Sequence, residues 1–492
     1  MTHDFAFVVF VIFLIFALFE MKFGLPFLSL LHLTTTFPTL PHTPGGTQLA
    51  QWLSAFNSGN ATLLAIYHNT SFPYSAASAD VATPESELLL ARGTGGFALR
   101  RLEESHELSL SVLLQERHSP QFASVKIHVV ATPPHVVESF EIHPTDTPDE
   151  FLTPEEREAR RMSAEKREAV LEDLSRCLET WYISPELAAR MVAALRQKQE
   201  EGAYDNFTYA PDFARVLTKD MRAVSHDLHL GIIFGRHPGA MGPPPSKDKI
   251  LEMLRAMRFS FGRSEWLDGG IAVLPILGFV PSDLPEAKDA ISEIMAEVAD
   301  AEALVLDLRK NGGGHPATVS WVSGFLFGDE KVHLNDMYCP HDDRTEEYWT
   351  QPPAPETRFG LHKPLYVLVS NTTISGGEEL PYDLQALGRA TIVGETTAGA
   401  ANLPRACEID KWWVGLVPSA YPINPVTGRN WEAVGVEPDV KVMAGKALKE
   451  AVRMAREELG LPPEGEENEK GAEGRKLTQR PLDEKQHVLG GT

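Results

Sequence analysis

Residues 364–403, PLYVLVSNTTISGGEELPYDLQALGRATIVGETTAGAANL, constrain the fold more than any other stretch. An apolar run, Leu365 to Val369, leads through a small polar turn into Ser375-Gly376-Gly377-Glu378, then into a helical pattern ending at Leu387, then into a second apolar run, Ala390 to Val393. The predicted order is strand, turn, helix, strand. Both runs are continuously apolar rather than alternating, so each strand is expected to be covered on both faces, as in a parallel sheet with its crossover helix packed against it. The turn then lies at the carboxyl end of a strand, where open α/β sheets place their chemistry.

Ser375 is the candidate nucleophile. It precedes two glycines at the expected helix start, so the backbone can turn sharply and leave free N–H groups close behind the hydroxyl. An anion forming there would meet those donors and the positive end of the helix dipole. The competing reading makes Ser375 an N-cap, with Glu378 three residues on completing a capping box. Spacing alone favours the cap, because such boxes are common and nucleophiles are rare.

The segment resembles the nucleophile region of the peptidase family that holds the tail-specific (C-terminal-processing) proteases, the tricorn core protease and interphotoreceptor retinoid-binding protein. In that family the serine stands three residues before an acid, and the helix leads to a strand of the type GRATIVGETTAG, here Gly388 to Gly399. Tail-specific proteases carry a lysine base in the loop after this strand, where this chain reads Gly399-Ala400-Ala401. A Ser-Lys dyad is therefore not expected.

The resemblance supplies the other site residues. In the tricorn-like branch the base is a histidine directly after a serine at the end of a helical subdomain; within Ser225-His226-Asp227-Leu228-His229 the matching pair is His226 with Ser225, and His229 is the neighbouring alternative. LVLDLRKNGGG ends a strand in Gly312-Gly313-Gly314. In the family this loop gives one oxyanion-hole amide, here from Gly312 or Gly313, and the residue after the serine, here Gly376, gives the other. GGGHP lacks the lysine and spacing of a P-loop and does not match GxGxxG, so nucleotide binding is not expected. The family closes its core on a GV-x-PD phrase, here Gly435 to Asp439, and the tricorn-like branch places a glutamate three residues before that glycine, here Glu432. About 30 residues separate Gly235 from Glu265, too few for the PDZ domain of tail-specific members.

Composition bounds the alternatives. A chain of 492 residues with 43% hydrophobic and 23% charged content has room for two or three folded domains. Its net charge of −23 disfavours nucleic acid or an anionic membrane as partner. Cys177, Cys339 and Cys407 are widely spaced and show no pairing logic, so neither a disulfide scaffold nor a zinc cluster is expected. Nothing calls for a metal or an organic cofactor.

Read in order, residues 1–33 are a signal peptide or membrane anchor: Phe5 to Phe19 is uninterrupted apolar sequence, shorter than the roughly 20 residues of a membrane-spanning helix. A secretory pathway is expected, and Asn60, Asn69 and Asn206 begin glycosylation triplets. Residues 45–144, helical then strand-like, predict a small α+β accessory domain, and AFNSGN resembles the start of NTF2-like domains. Residues 153–262 form the helical subdomain, 263–445 the catalytic core, and 446–492 a closing helix with a polar tail expected to be disordered. The fold class is thus α/β, with a crotonase-like (ClpP-like) core implied by the resemblance.

The resemblance implies a serine-type peptidase acting on peptides or proteins. Ser375 attacks, His226 serves as base, Gly376 with Gly312 or Gly313 holds the oxyanion, and Ser225 and Glu432 orient the site. The competing functions are carriage of a hydrophobic ligand, as in the retinoid-binding relatives, and hydrolysis of esters or small amides by the same residues.

Overall fold

The computed structural model describes residues 38–72, 84–235, 247–281 and 285–463. The expected leader at 1–33 and most of the polar tail lie outside them. Among the described residues no helix is long and apolar enough to cross a membrane.

The first unit opens with helix α1 (Pro44–Asn57), whose first turn is capped by Thr43 accepting from the Gly46 amide, with proline at the start. Asn60 caps α2 (Ala61–Ser71) by accepting from Thr62 and Leu63, and α3 (Pro84–Thr94) follows. Four antiparallel strands, β1 (Phe97–Ser105), β2 (Ser109–Glu116), β3 (Phe122–Val129) and β4 (Val137–Thr145), pair in sequence order. Leu49, Trp52 and Phe56 recur at helical spacing and are buried against Phe97, Val112 and Val125 of the sheet.

The second unit is helical: α4 (Pro154–Arg160), α5 (Ala164–Trp181), α6 (Pro185–Glu200) and α7 (Ala210–Ser225), then the short strand β5 (Gly231–Phe234). Its core runs through Leu174, Leu178, Met191, Phe213 and Leu217 and continues into Trp413 and Val417, residues of a distant hairpin. The helices therefore fold back onto the second half of the chain.

That half runs α8 (Lys247–Ala256), β6 (Glu265–Leu267), β7 (Ile271–Pro275), α9 (Pro285–Ala296), β8 (Ala303–Asp307), α10 (Pro316–Gly324), β9 (His333–Cys339), β10 (Arg344–Trp349), β11 (Leu365–Val369), α11 (Gly376–Ala386), β12 (Thr391–Gly394), β13 (Leu403–Glu408), β14 (Trp413–Ile423), β15 (Val440–Lys441) and α12 (Ala444–Glu458). A six-stranded sheet has the order β15-β12-β11-β8-β7-β6, parallel except for β6. One face buries Leu304, Leu306, Val367 and Val369 with Ile291, Val319 and Leu380 of the helices; the other buries Val305 and Leu368 under Ala447, Ala451 and Ala455 of α12. Continuous apolarity in β11 thus reflects two covered faces, as the sequence predicts. A second sheet, β10-β9-β14-β13 with β5 also on β14, was not anticipated.

The cysteines require a correction. Cys177 of α5 and Cys407 of β13 form a disulfide across a sequence separation of 230, with Cα atoms 6.1 Å apart. The pairing is created by the helical unit docking on the hairpin, so linear spacing carries no trace of it. Cys339 is unpaired.

Candidate active site

The turn from β11 to α11 is stitched to the loop after β8. Thr373 Oγ1 donates to the Leu308 carbonyl at 2.8 Å, Ser370 Oγ to the Arg309 carbonyl at 2.5 Å, and the Ile374 amide to the Asn311 carbonyl at 3.2 Å. Ser375 is thereby held at φ 59°, ψ −128°, a left-sided conformation that a non-glycine residue adopts at a cost. An ordinary N-cap serine has extended backbone instead. Glu378 does close back on Ser375, accepting from its amide at 2.9 Å, as a capping box would. The same buried carboxylate also accepts from the Thr397 hydroxyl, the Gly399 amide at 2.7 Å and the Ala400 amide at 2.9 Å. Burial raises it to about 7 against those four donors, so Glu378 serves as a clasp between the Ser375 elbow and the loop after β12.

The glycine loop lies directly against the elbow. A methyl group added at Gly313, where φ is +94°, would sit 2.7 Å from Ser375 Cβ and 3.2 Å from the Gly376 nitrogen. One added at Gly376 would sit 3.1 Å from the Gly314 nitrogen and 2.9 Å from its oxygen. The two expected loop donors, however, are already engaged. The Gly312 amide donates to the Leu277 carbonyl at 3.1 Å, and the Gly313 amide to Asn311 Oδ1 at 2.8 Å. Among the described residues the amides of the neighbouring Gly314 and the helix-opening Gly376 find no hydrogen-bond acceptor. Both line the Ser375 cleft, with Pro316, Met337, Glu379, Asn402 and Trp431.

The loop after β12 joins this cleft to the helical unit. Glu432 Oε2 accepts from the Ala401 and Asn402 amides at 2.6 and 3.1 Å, while Oε1 is buried without a partner among the described residues. Burial and then the nearby Asp227 raise Glu432 to about 7. Asn402 Nδ2 donates to the buried Asp227 at 2.8 Å, which also accepts from the Tyr182 hydroxyl at 3.3 Å and the His229 amide at 3.0 Å. Tyr182 faces Ser225 and Glu432 as well, so these two predicted residues share one neighbourhood.

The two histidines are placed differently. His226 is the left-handed C-cap of α7, at φ 59°, ψ 11°, and is exposed. His229 is half-buried and its ring donates to the Asn402 carbonyl, while Nδ1 is sealed and unpartnered. Burial, then the Arg222 guanidinium, lowers it to about 4, opposed by the Asn402 bond. Neither ring is hydrogen-bonded to Ser375 in this structure. Asp227 and Asn402, which link His229 to the cleft, were not singled out from sequence. Asp227 belongs to the polar cluster after α7, whereas Asn402 lies in the loop after β12 and is brought to it by the fold.

A serine on a strained strand-to-helix elbow, beside two unclaimed amides, is the constellation used by serine hydrolases. Residues 270–442 match peptidase family S41, and residues 163–260 match the N-terminal domain of that family in eukaryotic IRBP. Together the matches span more than half of the chain, which belongs to peptidase family S41. The chain is 29% identical over 147 residues to the carboxy-terminal processing protease CtpA of Bacillus subtilis (30% of this chain, 30% of that protein). It is 28% identical over 167 residues to the tail-specific protease of Haemophilus influenzae (32% and 21%). It therefore covers less than a third of either relative's length. Among solved structures it is similar to the photosystem II D1 C-terminal processing protease, at 14% identity and TM-score 0.36 over 60% of this chain and 98% of that one. It is also similar to the tricorn protease, at 13% identity and TM-score 0.38 over 74% of this chain and 46% of that one.

Proposed function

We propose that this chain is a serine-type peptidase that hydrolyses peptide bonds of peptide or protein substrates through an acyl-enzyme on Ser375. The observation that carries the reading is the elbow: Ser375 held at positive φ with the Gly376 and Gly314 amides unclaimed beside it. Ser375 Oγ attacks the carbonyl carbon, and those two amides receive the charge that develops on its oxygen. Gly314 takes the role first expected of Gly312 or Gly313, whose N–H groups are spent within the loop.

For the base, the geometry favours His229 over the expected His226. His229 reaches the loop that lines the Ser375 cleft, is uncharged at neutral pH and is oriented through Asn402, whereas the His226 ring faces solvent. His229 takes the serine proton and returns it to the leaving amine, moving toward Ser375 by the reach that an empty site leaves open. Asp227 orients it through the backbone, and Ser225 and Glu432 shape the same polar wall through Tyr182. No residue here requires a metal or an organic cofactor for this chemistry.

The remaining parts of the reading are proposals on the same footing. The parallel core is read as crotonase-like, residues 45–144 as an NTF2-like accessory domain, 153–262 as the helical subdomain and 263–445 as the catalytic core. The Cys177–Cys407 disulfide supports a secretory destination, secreted or held by the 1–33 segment, because such bonds persist in oxidising compartments. Asn69 and Asn206 are exposed, as glycan acceptors must be, and a mass loss on N-glycosidase treatment of secreted protein would test that.

Labelling of the intact chain by a fluorophosphonate tests the mechanism. The unaltered protein should label, Ser375→Ala should not, and His229→Ala should label at least about a hundredfold more slowly. If His226→Ala produces that loss and His229→Ala does not, the base returns to His226. No labelling of a folded sample would overturn the activated serine.

A further inference from the structure

Beneath the Ser375 cleft lies a group of acids that the mechanism leaves unused. Glu379, one turn along α11 from Ser375, lines the cleft and is 3% exposed. Asp383, a turn further and fully buried, accepts from Asn424 Nδ2 at 2.9 Å through Oδ1, while Oδ2 has no partner. Asn335 of β9 is also fully buried; its amide faces the Glu379 carboxyl, yet neither its nitrogen nor its oxygen makes a hydrogen bond of normal geometry. Among the described residues no lysine, arginine or histidine acts on either carboxyl. Two buried acids and an unsatisfied amide without a cation are costly in a protein interior unless something else supplies the charge or the hydrogen bonds.

The walls above them have a different character. Met337, Leu403, Pro422 and Trp431 are apolar walls of the cleft that Gly376 and Glu379 also line. Apolar walls ending in an acid complement a methylene chain that carries a positive head. Met337 is unbranched and adaptable, the kind of side chain that can swing from a passage closed at rest. The chain's net charge of −23 also attracts cationic peptides over a distance.

We propose that Glu379 makes this cleft a specificity pocket for a lysine or arginine of the substrate, at the residue on the acyl side of the scissile bond, with Asn335 and Asp383 supporting the bound cation from below. The inference rests on the reading of Ser375 as nucleophile, and it adds the substrate class. Burial keeps Glu379 largely protonated in the empty pocket, at about 8, against the opposing Asn335 amide; an entering ammonium or guanidinium releases that proton and leaves an ion pair.

The test uses the full chain and fluorogenic peptides that differ only in the residue before the scissile bond: lysine, arginine or leucine. The basic peptides should exceed the leucine peptide in kcat/KM by about tenfold or more, and Glu379→Gln should collapse that ratio toward one. No basic preference in the unaltered chain, or a preference that survives Glu379→Gln, overturns the proposal. The unaltered chain decides the matter even if the variant does not fold. A second readout needs no catalysis: 4-aminobenzamidine fluorescence with Ser375→Ala protein should show saturable binding that adding Glu379→Gln weakens about tenfold. Absent or unaffected binding overturns the pocket. Binding that behaves as expected, in a protein whose unaltered form cleaves none of the peptides, would sink the peptidase reading and leave the pocket standing.

Discussion

A serine at φ 59° is stabilised by its surroundings or not at all, since the conformation costs about 1–3 kcal/mol in isolation. Glu378 contributes to that restraint, because four donors from two separate segments, Ser375 and residues 397–400, converge on one carboxylate. Glu378→Gln keeps the shape but turns an amide NH₂ toward at least one of those donors. Leaving a buried donor unpaired costs about 1–3 kcal/mol, so the variant should melt lower and its fluorophosphonate labelling should slow by at least about tenfold. An unchanged melting temperature with an unchanged labelling rate would show that the clasp is dispensable. Gly313→Ala addresses the other side of the elbow: its methyl would lie 2.7 Å from Ser375 Cβ at a φ of +94° that alanine resists. Ser375 must shift to make room, and loss of labelling in protein that remains folded is the expected result.

At the scale of elements, the site exists only because α5 to α7 dock on the β13–β14 hairpin, and β13 starts at Leu403, next to Asn402 of the cleft. The Cys177–Cys407 bond ties these pieces together across a sequence separation of 230. Replacing both cysteines by serine should cost about 2–5 kcal/mol, seen as a lower urea midpoint that a reductant reproduces in the unaltered chain. Equal midpoints would mean that apolar packing of Leu174 and Leu178 on Trp413 and Val417 suffices. These elements also mark what the sequence could reveal. β11 was readable because all five of its residues are buried, giving a continuous apolar run. The hairpins were not: β10 is almost wholly exposed, β9 buries Asn335, and β14 contains Pro418 and Pro422, residues that ordinarily argue against a strand. The histidine pair was obscure for a related reason. Whether His226 or His229 turns inward depends on the left-handed cap at His226, and adjacent polar residues give no periodic signal for a single inverted φ.

For the molecule as a whole, the carboxyls gathered around the cleft make folding take up protons. Burial raises Glu378 and Glu432 to about 7 and Glu379 to about 8, and pushes Asp383 upward too, all from ordinary values near 4. Once pH exceeds those ordinary values the unfolded chain has lost these protons while the native state still holds them, so stability falls as pH rises until the native groups also ionise. His229 has the opposite sign: lowered from 6.5 to about 4, it makes the native state resist a proton that the unfolded chain accepts, which costs stability as pH falls through that interval. Between about pH 6.5 and 8 the histidine loses its remaining proton in the unfolded chain and the acids dominate. The melting temperature should therefore decline across that window, with each group contributing up to about 1.4 kcal/mol per pH unit while its native form stays protonated. Glu379→Gln removes a group raised to about 8 and should flatten the decline near pH 8. A melting temperature that is level or rises from pH 6.5 to 8 would mean that the acids are ionised in the native state. The cation pocket would then lose its proton-release step, because Glu379 would already be charged before any substrate arrives.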